Sequence, residues 1–160
     1  MADPFSSPGS IMEYQNTLSK VRSILVIDWP TKEVPERLAA AGFDVTVRGG
    51  PGPLDYAVYT VEAGSVSRRP CACPERIDLI YAHRPTGELS SILAIAKEVN
   101  ATAIWMQSGL TSDGSKDPRG CWIPAEEDFR ARDLVQTAGM AYFSSPYIID
   151  AVQALAHGKQ

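Results

Sequence analysis

Four short segments of this 160-residue chain combine cations, amides and glycines in a way that suits the holding of an anion. They are Asp28-Trp29-Pro30-Thr31-Lys32, Arg48-Gly49-Gly50, His83-Arg84-Pro85-Thr86-Gly87 and Gln107-Ser108-Gly109. A helix beginning near Thr31 offers unpaired backbone donors and a favourable dipole to a phosphate, and Lys32 adds a formal charge. Arg48 presents a planar set of donors matched to an adenosine-linked phosphate, and Arg84 supplies a second cationic rim. Gln107 orients a ligand through its amide, while Gly49 and Gly109 permit tight turns. Trp29 suits an apolar pocket wall. Asp28 repels a phosphate unless it is offset, protonated or turned toward a cation.

These residues make a binding set rather than a catalytic one. His83 titrates in the range useful for acid-base chemistry, but no third group completes a catalytic arrangement, and Ser108-Gly109 is too short for a nucleophile elbow. His83, His157, Cys71 and Cys73 lack metal-ligand spacing, so no metal is expected. The first turn also lacks the GxGxxG glycines that bring backbone against a dinucleotide pyrophosphate. Arg48 follows the second strand where an acidic residue would bind an unphosphorylated ribose. Any dinucleotide bound here is therefore expected to be NADP.

The elements needed to position these turns follow from hydrophobic periodicity. Ser23 to Ile27 is a short, almost uninterrupted apolar run, as in a central parallel strand covered on both faces. Val34, Leu38 and Ala41 then repeat at helical spacing, with Pro35 in the tolerant first turns and Gly42 at the exit. Phe43 to Val47 is a second strand, and strand, helix and strand form a crossover unit. Asp55 to Val61 is a short alternating segment, and Glu62 to Pro74 reads as a loop. Ile77 to Ala82, Gly87 to Val99 and Thr102 to Gln107 repeat the strand-helix-strand pattern. Thr111 to Gly120 reads as a polar surface excursion. Pro124 to Ala138 is a helix with Phe129, Leu134 and Val135 in its buried stripe. Met140 to Phe143 and Tyr147 to Ala156 supply a last strand and a covering helix. The fold expected is α/β: a doubly wound, mostly parallel sheet of about five strands with helices on both faces, forming a compact Rossmann-like domain.

Residues 1–18 are expected to be a flexible N-terminal segment, although Ile11 to Leu18 also suits a short helix. A single domain is expected over 19–157, with a tail at 158–160. An apolar fraction of 44% is enough for a core, and a formal charge of −4 disfavours a general nucleic-acid surface while leaving room for a local cationic pocket. No apolar run is long enough to span a membrane, no secretory leader is read, and three cysteines make a poor disulfide framework. A cytoplasmic location is the resulting expectation.

Ile77-Asp78-Leu79-Ile80, His83-Arg84-Pro85 and the run Thr102 to Gly109, with its Trp105-Met106-Gln107 group, together resemble the small coenzyme A-binding family with a Rossmann-like domain. The resemblance continues through Ala131 to Met140 and the Ser145-Pro146-Tyr147-Ile148 turn, covering roughly Val21 to Asp150. It implies a pocket for coenzyme A or an acyl-coenzyme A, used for metabolic sensing through a protein partner without catalysis. Two departures stand out: Asp28-Trp29-Pro30 replaces a small or glycine-bearing turn, and Thr111 to Ile123 is extended. The alternatives are an NADP-linked oxidoreductase and a structural or interaction domain that has lost nucleotide recognition.

Overall fold

Ile24, Leu25 and Val26 have no exposure to solvent, and the same holds for Leu79, Ile80, Tyr81, Ile104 and Trp105. Such strands need partners along both edges and cover on both faces, which requires the layered architecture seen in the computed structural model. It describes residues 8–27, 33–48 and 56–158. In chain order the elements are α1 (Pro8–Lys20), β1 (Ser23–Ile27), α2 (Glu33–Ala40), β2 (Asp44–Arg48), β3 (Tyr56–Glu62) and β4 (Ser65–Cys71). There follow β5 (Leu79–Ala82), a 3-10 turn (Thr86–Glu88), α3 (Leu89–Glu98), β6 (Ala103–Met106), α4 (Ala125–Thr137), β7 (Ala141–Phe143) and α5 (Ile148–Gly158).

The strands form one sheet in the order β4-β3-β2-β1-β5-β6-β7. β1 is parallel to both β2 and β5, and β5-β6 and β6-β7 are parallel, whereas β2-β3 and β3-β4 are antiparallel. The sheet is therefore mostly parallel, with seven described strands in place of about five. Buried residues divide into two clusters. Ile24 and Val26 join Leu18, Val34, Leu38, Ile148 and Val152 in one, and Leu25 and Ile27 join Ile92, Leu93, Ala131 and Val135 in the other. Trp105 anchors the first. Its ring stacks 5.1 Å from Phe143 and lies 6.0 Å from Tyr14, and its indole N–H donates to the Pro146 carbonyl at 3.1 Å.

Three sequence expectations change here. Glu62 to Pro74 is not mainly loop, because β4 occupies Ser65 to Cys71 and pairs along the full length of β3. The connection is a two-residue turn at Ala63 (φ 52°) and Gly64 (φ 81°), the backbone that matches the twist of a hairpin. β4 lies at the sheet edge with little burial, so its Ser-Val-Ser-Arg-Arg-Pro-Cys run carries no apolar alternation, and Pro70 is tolerable there. The buried stripe of α4 is also narrower than expected: Val135 is fully buried, but Phe129 is 70% exposed and Leu134 45%. Ala131 takes the inward position instead. Finally, the boundary placed near Leu18 falls inside α1, where Leu18 is buried and Tyr14 packs on Trp105.

Trp105→Ala should cost about 3–5 kcal/mol in urea unfolding, since it removes a fully buried ring and leaves the Pro146 carbonyl unpaired. Phe129→Ser should change stability by no more than about 0.5 kcal/mol. Equal costs for the two substitutions would contradict the burial described.

Candidate functional site

Parallel register brings the carboxyl ends of the central strands into one row. Ile27 lies opposite Arg48 on one side and Ala82 on the other, and Ala82 lies opposite Met106. The chain leaves β1 toward β2 in one direction, while β5 lies in the other. The crevice beyond Ile27 and Ala82 is thus the switch point at which open α/β sheets take their ligands. Arg48 stands two strand spacings from Ala82, about 10 Å, close enough for one extended ligand to meet both.

Arg48 is half-buried, and its Nε, which is buried, has no hydrogen-bond partner among the described residues. Across the ladder it faces Tyr56, whose phenol interacts with Cys73. Burial is the first cause that pushes the Tyr56 hydroxyl up to about 12, with the Cys73 hydrogen bond adding to it and the Arg48 cation opposing it.

On the other side of β1, the His83 N–H donates to the Ile27 carbonyl at 3.1 Å. Gly109 lies against the His83 imidazole. Its φ is +70°, and a Cβ built on it would sit 2.5 Å from Cε1 and 2.7 Å from Nε2 of the ring. Only glycine fits both that backbone and that approach. Gln107 is fully buried, and its amide nitrogen donates to the Gly120 carbonyl and, at 3.0 Å, to the Cys121 Sγ. The donor expected to orient a ligand is therefore engaged within the chain, while Oε1 is buried and has no hydrogen-bond partner among the described residues. The Tyr81 hydroxyl is likewise buried and unbonded, and burial raises its ionisation well above the usual tyrosine range. Arg84 pairs with Glu88 four residues on.

The segment expected to be a surface excursion folds back on this edge. The Gly109 N–H donates to the Gly120 carbonyl (3.0 Å), and the Trp122 N–H to the Leu110 carbonyl (3.0 Å). Gly120 is pressed so closely on Leu110 that a Cβ there would lie 2.4 Å from its carbonyl oxygen. Arg119 reaches Glu33 Oε1 in the first turn of α2 at 2.7 Å, and its guanidinium lies 5.6 Å from the Tyr147 ring centroid. Arg119 is largely exposed, although Glu33 is mostly covered, and such a partly solvated pair contributes about 0–1 kcal/mol, so it aligns the segment more than it stabilises the fold. Neither Arg119 nor Glu33 stood out in the sequence, because each is an ordinary charged residue in a polar stretch and the two are 86 positions apart.

Of the residues singled out from sequence, Arg48, His83, Arg84, Gln107 and Gly109 lie at this edge. Asp28, Trp29, Thr31, Lys32 and Gly49 lie outside the described residues. Among the described residues, no group of three His, Cys, Asp or Glu side chains is placed to hold a metal ion. No described helix is long and apolar enough to cross a membrane. A cavity of about 350 Å³ opens between the loops after β5 and β6, and another of about 580 Å³ lies at the opposite, amino edge beside Arg22 and Asp44. We place the candidate site at the carboxyl edge despite the larger volume at the other, because the switch point and the unbonded polar atoms are there.

The sheet order and the carboxyl-edge site define an open α/β domain. No family model matches the chain, and no curated protein matches it. Solved structures share the fold. Prb, described as a PH1109 protein redesigned for binding, superposes with a TM-score of 0.62 at 13% identity, covering 91% of this chain and 92% of the other. Cell-free ID.343 from Thermus thermophilus superposes with a TM-score of 0.52 at 14% identity, covering 91% and 98%.

Gly109→Ala should destabilise the protein by about 2 kcal/mol or more, combining a left-handed backbone with the imidazole clash. In a His83→Ala background the cost should fall to the backbone part, about 1–2 kcal/mol. An unchanged cost in that double-mutant cycle would show that the ring contact is absent. Alkaline pH supplies a second check. Burial first, followed by nearby acidic charge, also raises Tyr147, to about 12 against 10.0 for a free tyrosine. Between those values the unfolded chain loses protons that the folded one keeps, so the contribution of these tyrosines to stability is constant below pH 10 and falls above it. Tyrosinate absorbance of the native protein should lag that of the urea-unfolded chain through this window, and coincident titrations would contradict the burial of Tyr56 and Tyr147.

Proposed function

We propose that this chain is a doubly wound, Rossmann-like domain that binds coenzyme A or an acyl-coenzyme A at the carboxyl edge of its sheet, without catalysing a reaction. The division of alternate β1 residues between a cluster shared with α1, α2 and α5 and one shared with α3 and α4 supports helices on both faces. The observation that carries the ligand assignment is Arg48. A buried guanidinium N–H with no partner is costly, and a phosphate beside it would supply the missing acceptor. Among the described cations of this edge, Arg84 and Arg119 are paired with Glu88 and Glu33, which favours Arg48 as the phosphate ligand.

The chemistry of the edge favours binding over turnover. Gln107 spends its donor on holding the returning segment, and the His83 ring packs on Gly109. Occupancy would report the supply of the coenzyme to a metabolic protein partner in the cytoplasm. The same cation would accept the adenosine phosphate of NADP, but the first turn has none of the glycines that dinucleotides use.

Calorimetric titration should show saturable binding of coenzyme A, weaker binding of 3′-dephospho-coenzyme A, and no hydride transfer with NADP. Arg48→Gln should weaken coenzyme A by about tenfold to a hundredfold, the range of a lost charged hydrogen bond, and leave the dephospho form nearly unchanged. Absence of coenzyme A binding at millimolar concentration would end this reading. NADP binding coupled to substrate turnover would replace it with an oxidoreductase.

A further inference from the structure

The cavity of about 350 Å³ between the loops after β5 and β6 differs in character from the rest of the edge. One wall is Pro85 and Thr86, and the facing wall is Leu110, Trp122, Ile123 and Pro124. Trp122 is 41% exposed, in a chain whose Trp105 is completely buried. A single exposed aromatic needs no explanation. Here, however, Leu110, Ile123 and two prolines converge with it on one concave surface.

That surface is built rather than incidental. The Leu110 N–H donates to the Ser108 hydroxyl at 3.2 Å, and the Leu110 carbonyl accepts from the Trp122 N–H at 3.0 Å, so both apolar residues are set by their backbones. Leu110 also bridges to Lys116, and Gly120 fits against its backbone with no room for a side chain. The opposite wall is tied down as well, because Thr86 donates its hydroxyl to Glu127 on α4. Both walls are therefore fixed by bonds within the chain, which reduces the ordering cost of binding between them.

We infer that this cavity is an acyl subsite, receiving a medium-length aliphatic or an aromatic acyl group carried as a thioester. The inference rests on the coenzyme A reading for the thioester but not for the apolar group itself. The volume falls within the range of small-molecule pockets and is more than twice the size of an apolar cavity able to hold benzene. The lining does not favour an anionic group: its carboxylate, Glu127, is not offset by an unengaged cation, because the Arg84 that also lines the cavity is paired with Glu88. A neutral thioester carbonyl at the entrance with hydrocarbon beyond it matches the order of polar rim and apolar wall. The extension over Thr111 to Ile123 then has a purpose, because it carries Trp122 and Ile123 into the apolar wall.

The test uses the full chain and three probes: coenzyme A, octanoyl-coenzyme A and S-octanoyl-N-acetylcysteamine, which carries the acyl group without the nucleotide. Octanoyl-coenzyme A should bind at least about tenfold tighter than coenzyme A, which burial of two or three methylenes suffices to produce. The truncated thioester should bind saturably and perturb tryptophan fluorescence in the wild-type protein but not in Trp122→Ala. Trp122 is partly exposed, so that variant is expected to fold. Ile123→Asp is the second variant and should abolish the octanoyl advantage by placing a charge in the wall. Equal affinity for coenzyme A and octanoyl-coenzyme A, with no binding of the truncated probe, would overturn the acyl subsite and leave coenzyme A binding standing. Binding of the truncated thioester without binding of coenzyme A would do the reverse. An octanoyl advantage that survives in both variants would place the acyl group elsewhere and overturn the assignment.

Discussion

Nearly complete exclusion of water from β1, β5 and β6 is the constraint on which the rest of the molecule depends. Their interior residues are at or near zero exposure, so every backbone donor and acceptor in them must be paired within the sheet and both faces must be covered. Parallel pairing meets the first demand and obliges the chain to return to the amino edge after each strand. The turns leaving the strands therefore collect at the other edge. Ile27, Arg48, Ala82 and Met106 come into one row as a geometric consequence of how the core is buried.

Electrostatics at that edge are governed by which cations already have partners. Arg84 and Arg119 are each engaged by a glutamate. Arg48 differs in having a buried nitrogen with unmet hydrogen-bonding capacity, in a protein whose bulk charge is negative. On the proposed reading, a local site for an anion would sit within an acidic molecule, with selectivity set by one guanidinium rather than by a broad field. The returning segment from Gly109 to Trp122 adds the second component. It accepts a hydrogen bond from the Gln107 amide nitrogen and carries Leu110 and Trp122 to the mouth of a small cavity.

Much of the frame was legible from residue patterns, and the exceptions share a cause. Ser23 to Ile27 and Ala103 to Met106 were readable because burial on both sides demands unbroken apolar runs. β4 was not, since an edge strand with few buried residues is free to read Ser-Val-Ser-Arg-Arg-Pro-Cys. Phe129 and Leu134 misled for the opposite reason: helical spacing identifies apolar positions but not whether anything covers them, and here Ala131 and Val135 take the inward face. At the site, the strand-end positions of Arg48, His83 and Gln107 followed from the elements, but their partners did not. Gly109 against His83, and Arg119 against Glu33, are long-range pairs that only the folded chain creates.

The proposed ligand site is at the carboxyl edge, whereas a cavity of about 580 Å³ opens beside Arg22 and Asp44 at the amino edge. Amide chemical-shift mapping on titration with coenzyme A separates the two most directly. The prediction is that perturbations concentrate at Arg48, His83 and Gly109 and extend along Leu110 to Trp122. Perturbations centred on Arg22, Phe43 and Asp44, with the carboxyl edge silent, would contradict it.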